Sequence, residues 1–143
     1  MRTAVFTIAS RNYFAFVRTL MKSLEKTNPQ WDRFVGVADE IGEEFEKLPK
    51  NFNYISLKEM NLPESEKMIF RYTILEFNTA IKPFVFKLLF NKMGYDRVIY
   101  LDPDIYVYEP LTEIEKAFDR GNNIILTPHL TGLWHDIWLP NEE

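Results

Sequence analysis

The chain has 143 residues, about the length of one domain, and its hydrophobic content of 46% is enough to form a packed core. Its 17 basic and 21 acidic residues give a formal net charge of −4 without the basic tracts of nucleic-acid binders, so no nucleic-acid partner is expected. Cysteine is absent, which excludes disulfides, thiol catalysis and cysteine-ligated zinc.

The first part of the chain alternates strands with a helix. Residues 3–9 (TAVFTIA) form a β-rich run, and apolar residues then recur at helical spacing from Tyr13 to Leu24. The runs RFVGVAD (33–39) and FNYISL (52–57) predict two further strands. The charged stretch EEFEKLPKN between them predicts a loop or a single helical turn.

The middle of the chain is helical and leads into a buried strand. Residues 63–93 have helical character and are interrupted at Lys82-Pro83, which predicts two helices because proline can open a helix at its first turn. The run DRVIYLD (96–102) predicts a buried strand that has charges at its exit.

The last part of the chain predicts a helix and a strand. Thr112 and Glu115 have the spacing of a capping box, which predicts a short helix that ends near Gly121. The run NIILTP (123–128) predicts a fifth strand.

Strands that alternate with helices predict an α/β fold, with a Rossmann-like, mostly parallel sheet and flanking helices. No repeat or linker divides the chain, so residues 1–143 are expected to form a single domain. Ligands of such sheets bind at the carboxyl ends of the strands. Candidate site residues should therefore follow the predicted strands.

Two carboxylates interrupt a hydrophobic run in the segment YLDPDIYVY (100–108). Asp102 and Asp104 come where the strand VIYL ends. Residues at i and i+2 on an extended segment point to the same side, so both carboxylates could converge on one object, and two hard oxygen donors suit Mg²⁺ or Mn²⁺. The alternative is a solvated bend around Pro103. The position after a buried strand favours the metal site.

Other chemistries of α/β proteins have weaker support. The five glycines form neither a GxGxxG motif nor a P-loop. His129 and His135 lie near the end of the chain without a nucleophile-elbow motif, so a Ser-His-Asp hydrolase is not expected. His135-Asp136 could form a ligand pair or a proton relay, although a polar turn between Trp134 and Trp138 is the favoured interpretation.

Four segments resemble, in order, the N-terminal half of a nucleotide-sugar glycosyltransferase of the GT-A fold. They are IASRNYFAFVRTLMKSL, FVGVADE, EFNTAIKPFVFKLLF and DRVIYLDPDIYVYEPL, and LDPD is the most specific part. The nearest resemblance is to bacterial transferases related to the glycogenin and lipopolysaccharide galactosyltransferase group. It implies a hexosyltransferase that binds a UDP-sugar through a divalent metal, Mn²⁺ or Mg²⁺, for transfer to a saccharide or cell-envelope acceptor.

The resemblance also implies roles for single residues. Asp102 and Asp104 correspond to the DxD motif, which holds the metal against the diphosphate, so Asp102 also counts as substrate-binding. Asp39 is similar to the acidic residue that accepts a hydrogen bond from uracil. Lys82 stands where relatives have a basic residue near the phosphates or the donor sugar. The loop after the first strand is implied to receive the nucleoside through Ile8, Ser10, Asn12 and Tyr13.

Plain alternatives remain open for three of these residues. Tyr13 offers an aromatic face for stacking, but it also fits the apolar stripe of the first helix. Asp39 could be a solvated strand end, and Lys82 could be a charge at a helix terminus. The resemblance assigns no catalytic nucleophile or base.

The GT-A family also has a second half that supplies the acceptor site and a further metal ligand. The chain is therefore expected to be a nucleotide-binding half or a truncated product, with self-association or a partner chain. A non-catalytic nucleotide-sugar or metal-binding module stays open as a different class. A sugar-phosphate nucleotidyltransferase is disfavoured because the glycine-rich N-terminal loop is missing.

The sequence also carries expectations about location. The N-terminal apolar run ends at Ser10 and is too short for a signal-peptide core. The apolar segment PFVFKLLF is too short to span a membrane and contains Lys87. These features predict a cytoplasmic protein without a transmembrane segment, and peripheral attachment to a membrane stays open.

Overall fold

The structure, a computed structural model, describes residues 1–39 and 51–128. These residues belong to two compact units, Met1–Leu111 and a second unit that begins at Thr112. The first unit contains a parallel sheet of four strands in the order β3-β2-β1-β4. The strands are β1 (Thr3–Ala9), β2 (Asp32–Val37), β3 (Asn53–Ile55) and β4 (Arg97–Tyr100). This arrangement confirms the predicted Rossmann-like α/β fold.

Helices connect and flank the strands of the first unit, and one helix lies in the second unit. A 3₁₀ turn at Arg11–Tyr13 leads into the first helix, and a π-helical turn at Leu88–Lys92 extends the fifth. The α-helices are α1 (Phe14–Thr27), α2 (Leu57–Met60), α3 (Ser65–Arg71), α4 (Ile74–Ala80), α5 (Lys82–Lys87) and, in the second unit, α6 (Thr112–Asp119).

The core forms around β1, which pairs with β2 on one side and with β4 on the other. Every residue from Ala4 to Ser10 is buried, as expected of a parallel strand that helices cover on both faces. The apolar spacing of α1 buries Val17, Leu20 and Leu24, as the sequence predicted. The buried strand β1 therefore provides a rigid base for the residue that follows it.

Gly36 in β2 lies at a tight point of this core. A Cβ atom built there would lie 3.1 Å from Ile8, 3.2 Å from Met60 and 3.3 Å from Val85 of α5. Most real Cβ contacts are wider than these distances. Glycine therefore allows α5 to approach the sheet closely.

The helical stretch 63–93 contains one more break than the sequence analysis predicted. The predicted interruption at Lys82-Pro83 is present, but a second one separates α3 from α4. There Tyr72 has an extended backbone, and Thr73 and Glu76 form a capping box that starts α4. A similar capping box of Ser56 and Glu59 starts α2, which ends β3 earlier than predicted.

The predicted fifth strand at 123–128 is wrong. These residues form no strand in the described part of the chain, and Ile124 and Leu126 are 77% and 82% exposed. A strand needs a neighbour for its backbone hydrogen bonds, and no described segment pairs with this one. The predicted α6 is present and ends at Asp119, close to Gly121.

Several features of the sequence lie outside the described residues. These include His129 and His135, the two tryptophans beside His135, and all but the last residue of the charged stretch EEFEKLPKN. In the described ranges, no helix combines the length and the apolar character that a membrane crossing requires.

Candidate functional site

Three of the predicted site residues follow the carboxyl ends of three neighbouring strands. Ser10 follows β1, Asp39 comes two residues after β2, and Asp102 comes two residues after β4. Backbone pairing continues past the strand ends, since Ala38 N donates to Ala9 O at 3.2 Å. Because the strands are parallel, these residues share one edge of the sheet. The sheet thus brings together residues that are far apart in sequence.

A compact polar cluster forms where β4 ends, and we call Lys82, Tyr100 and Asp102 the lysine–aspartate cluster. The Tyr100 hydroxyl donates a hydrogen bond to Asp102 Oδ1 at 2.6 Å. The Lys82 Nζ lies 3.8 Å from the same oxygen and 4.2 Å from the centroid of the Tyr100 ring. One carboxylate oxygen therefore contacts both a neutral donor and a cation.

The acid–base properties of Tyr100 follow from this arrangement. Burial raises the pKa of Tyr100, and the hydrogen bond to Asp102 and the charges of Asp102 and Asp104 raise it further. The phenol therefore keeps its proton and remains a donor to Asp102. Since the charge of Asp104 also acts on Tyr100, both carboxylates lie within electrostatic reach of one hydroxyl.

The LDPD segment is a turn rather than an extended chain. Ile105 N donates to Asp102 O at 3.3 Å, so Asp102 to Ile105 close a β-turn with Pro103 at its second position. The argument that i and i+2 side chains share one side does not apply here, because that alternation belongs to extended backbone. Proline favours the turn because its φ is fixed. The bend that was the alternative prediction is therefore present at this position.

Two carboxylates on this turn, of Asp102 and Asp104, are the candidates for binding a divalent cation. Within residues 1–39 and 51–128, no three His, Cys, Asp or Glu side chains form a group that could hold a metal by themselves. Mg²⁺ and similar ions need no such group, since they commonly use one or two carboxylates together with water and substrate phosphates. Asp102 and Asp104 are both exposed and offer oxygen donors of this kind.

A cavity of about 210 Å³ lies at the carboxyl ends of β1 and β2. The residues after the strands contribute Ser10, Ala38 and Asp39 to its lining, and α2 to α4 with their connections contribute apolar side chains. Asp39 Oδ2 accepts a hydrogen bond from Arg11 N at 2.6 Å, which fixes this carboxylate. The apolar lining consists of Leu57, Ile69, Tyr72, Ile74 and Phe77. The cavity therefore combines an apolar wall with one anchored carboxylate.

The residues assigned to nucleoside binding divide into two sets. Ser10 and Asp39 line the cavity. Ile8 is only 2% exposed and belongs to the hydrophobic core with Ala4 and Phe6. Strand alternation explains this, because residues 4, 6 and 8 of β1 share one face. The structure therefore brings only part of the predicted set into contact with this cavity.

Asn12 and Tyr13 lie in the 3₁₀ turn after β1 and are exposed. The Tyr13 ring is 43% exposed and packs beside Phe16, with ring centroids 5.4 Å apart. Tyr13 lies outside the lining that the described residues give to the cavity. Phe16 is itself 52% exposed, so this pair lies outside the buried face of α1 that Val17, Leu20 and Leu24 form.

The sequence analysis did not find Tyr72 and Tyr100. Tyr72 lines the cavity from the junction of α3 and α4, and Tyr100 holds Asp102. The capping-box spacing of Thr73 and Glu76 was a readable signal for the junction. No comparable signal exists for the Tyr100 hydrogen bond, since it depends on how the chain turns after β4.

A second cavity of about 230 Å³ lies at the opposite edge of the sheet, where β2 and β3 begin. Asp32, Arg33 and Asn53 contribute to its lining, together with Trp31, which is 3% exposed. The sequence predicted no site residue there. Ligands of parallel α/β sheets bind at the other edge, so the smaller cavity is the stronger candidate.

Comparisons with known proteins identify solved structures that have a similar fold. No model of a known protein family matches the chain, and no curated protein matches it. Among solved structures, the chain is similar to S. aureus TarS, a glycosyltransferase, with a TM-score of 0.51 and 15% identity over 90% of this chain. A structure of TarS residues 1–349 gives a TM-score of 0.47 at 14% identity and covers 85% of this chain.

The chain spans 23% of the length of the first TarS structure and 33% of the second. At this identity the likeness establishes a glycosyltransferase-like fold and nothing finer. It does not extend to the glycogenin and lipopolysaccharide galactosyltransferase group that the sequence segments resemble.

Proposed function

We propose that this chain forms the nucleotide-sugar-binding part of a glycosyltransferase and takes a UDP-sugar as its donor. The observation that carries the proposal is the shared edge of the sheet. A cavity with an anchored carboxylate lies where β1 and β2 end, and the lysine–aspartate cluster lies where β4 ends. β1 pairs with both β2 and β4, so the two features flank one strand. A nucleoside diphosphate likewise has a base at one end and an anionic group at the other.

The cavity suits a uracil base. Asp39 Oδ2 is engaged by Arg11 N, and its other oxygen can accept the imide N–H of uracil. The apolar side chains of α3 and α4 provide a surface for the flat ring. A base without a donor at that position would leave the carboxylate unpaired, which disfavours its binding.

The lysine–aspartate cluster suits the diphosphate. The Lys82 ammonium supplies a positive charge, and the side chains of Asp102 and Asp104 would hold Mn²⁺ or Mg²⁺. A bound divalent cation neutralises the charge that develops on a leaving nucleoside diphosphate. The hydrogen bond from Tyr100 restrains the carboxylate of Asp102, and this would hold the carboxylate in place for the metal.

The reaction we propose is hexosyl transfer to a saccharide or cell-envelope acceptor. The glycosyltransferase-like fold supports this class of reaction. The residues discussed bind and orient the donor, and none of them is assigned as the base that activates the acceptor. We propose only the chemical class of the transferred sugar, a hexose, and of the acceptor, a saccharide or cell-envelope component.

Titration calorimetry of the full chain with UDP, ADP and GDP, each with and without Mn²⁺, tests this proposal. We expect tighter binding of UDP than of ADP or GDP, and we expect Mn²⁺ to increase the affinity. Asp39→Asn should reduce the preference for UDP. Equal affinities for the three diphosphates would remove the uridine assignment, and affinities that do not respond to Mn²⁺ would remove the metal.

A thermal-shift screen of UDP-sugars then tests the reaction class. Ligands that bind the folded state raise the melting temperature by mass action, so weakly bound donors are detectable at high concentration. Release of UDP when the best donor is incubated with saccharide acceptors would show transfer by this chain. Binding without release would agree with both the nucleotide-binding half and the non-catalytic module.

A further inference from the structure

Tyr72 occupies an exposed position on the wall of the cavity at the ends of β1 and β2. Two aromatic rings belong to the lining, Phe77 and Tyr72. Phe77 is 6% exposed and packs in the core, whereas Tyr72 is 44% exposed. Of these two rings, only Tyr72 can present an aromatic face to a ligand in the cavity.

Two helix ends hold the backbone of Tyr72. Its N–H donates to Met68 O at 3.0 Å, which closes α3. The next residue, Thr73, caps α4, because its hydroxyl accepts from Glu76 N and its own N–H donates to Glu76 Oε2 at 2.8 Å. These bonds restrain the extended conformation of Tyr72 from both sides. An aromatic ring on such a restrained backbone loses little further entropy when a ligand binds.

The chemistry of the remaining lining identifies the group that Tyr72 would contact. Ser10 and Asp39 provide polar groups beside the apolar wall. A nucleobase matches this combination, since it has a flat π-face for the ring and polar edges for hydrogen bonds. The Tyr13 ring, in contrast, packs on Phe16 outside the lining.

We infer that Tyr72, and not Tyr13, is the residue that stacks on the base of the donor nucleotide. This inference rests on the proposed function, because it takes the nucleoside diphosphate as the ligand of the site. Tyr72 is then a determinant of affinity for the base and has no contact with the diphosphate. Loss of its ring should lower the affinity for UDP and leave the affinity for pyrophosphate unchanged.

Calorimetry of the full chain with Mn²⁺, using UDP and pyrophosphate as separate probes, tests the inference. Loss of a stacked base commonly costs about 1–3 kcal/mol, so Tyr72→Leu should reduce the affinity for UDP about five- to 150-fold. Pyrophosphate should bind equally to both proteins, and Tyr72→Phe should retain most of the affinity for UDP. Tyr13→Leu, the matched control, should bind UDP as the parent does.

The outcomes separate the inference from the proposed function. If the parent shows no preference for UDP, the proposed uridine specificity is wrong, and the inference that rests on it is wrong as well. If the parent prefers UDP and Tyr72→Leu binds it normally, only the inference fails. A loss of UDP affinity in Tyr13→Leu and not in Tyr72→Leu would also overturn it.

Tyr72→Trp provides a direct readout should the leucine variant fold poorly. Tryptophan keeps an aromatic face at the same position, and stacking on a base quenches its fluorescence. We expect UDP to reduce the emission of this variant relative to the parent, and pyrophosphate to leave it unchanged. Emission that does not respond to saturating UDP would contradict stacking at residue 72.

Discussion

The hydroxyl of Tyr100 and the carboxylate of Asp102 form a 2.6 Å hydrogen bond at the end of β4. The two residues are separated by Leu101, whose N–H still donates to Phe6 O of β1 at 3.0 Å. The ring of Tyr100 contacts Phe6, with centroids 5.2 Å apart. The aspartate that the sequence marks as a metal ligand is therefore linked through one aromatic ring to the core of the sheet.

The first prediction concerns Tyr100→Phe, which keeps the ring and removes the hydroxyl. Partners that orient metal-binding side chains typically contribute tenfold or more to metal affinity. We expect Mn²⁺-dependent UDP affinity to fall about tenfold. The free energy of unfolding should change by about 1 kcal/mol or less, since water can solvate the exposed Asp102. Calorimetry beside urea unfolding measures both quantities, and unchanged affinity would show that the hydroxyl does not position Asp102.

The second prediction concerns Asp104→Asn. An amide keeps the shape of the side chain but removes its charge, so the Mn²⁺-dependent part of UDP binding should disappear. Without metal, the variant should be as stable as the parent or slightly more stable, because Asp102 loses a neighbouring like charge. Titration calorimetry and melting curves report the two effects.

Glu109→Gln is the matched control for this variant. Glu109 is exposed, lies five residues further along the same segment and carries the same charge as Asp104. It should leave Mn²⁺-dependent binding unchanged. A marked loss of stability in metal-free Asp104→Asn would indicate that Asp104 has a structural role instead.

The third prediction concerns Lys82→Gln. The ammonium is partly buried between Asp102 and the Tyr100 ring, which strengthens its interaction with an anion relative to an exposed lysine. UDP affinity should fall about tenfold, while the affinity for uridine, which has no phosphate, should remain. Lys87→Gln at the exposed end of α5 is the control. An equal loss for uridine and UDP would place Lys82 near the nucleoside instead.

The fourth prediction concerns stability at alkaline pH. The Tyr95 hydroxyl donates to Asp32 Oδ2 at 2.8 Å. Burial, followed by the hydrogen bond and the charge of Asp32, raises the pKa of Tyr95 to about 12 from 10.0. Below pH 10 the contribution of Tyr95 to stability is fully present, and it is lost as the pH rises from 10 to 12, since the unfolded chain releases its proton first.

Urea unfolding of the parent and of Tyr95→Phe across this pH window checks the fourth prediction. The parent should lose stability more steeply than the variant. Tyr108→Phe is the control, because Tyr108 is 83% exposed. Identical slopes for the parent and for Tyr95→Phe would show that Tyr95 does not hold its proton more tightly in the folded state.

All four strands of the described sheet were predicted, and β3 is shorter than its predicted range. β1, β2 and β4 contain apolar runs, as is typical of strands that helices cover on both faces. The run at 123–128 has three consecutive apolar residues, Ile124 to Leu126, but no described segment pairs with it, and a sequence pattern does not identify the partner of a strand. The break at Thr73 was readable from its capping-box spacing, which is the same signal that correctly predicted α6.

The candidate site was predictable where it depends on topology. Once the strands are parallel, Ser10, Asp39 and Asp102 must share one edge of the sheet. The turn at Pro103 was predicted only as the alternative to the metal site. The position of the Tyr72 ring on the cavity wall was not predicted, because it depends on contacts between elements that a linear pattern does not encode.

The geometry of the candidate site depends on Gly36, although Gly36 is not among the residues that would contact a ligand. Because the sheet has no side chain there, Val85 and the rest of α5 can lie against β2, and Lys82 is carried three residues before Val85 on the same helix. A methyl group at residue 36 would crowd its neighbours, which would have to move by a few tenths of an ångström. If α5 shifted together with Val85, the distance between the Lys82 ammonium and Asp102 would change as well. Close packing at Gly36 therefore bears on the spacing between this cation and this carboxylate.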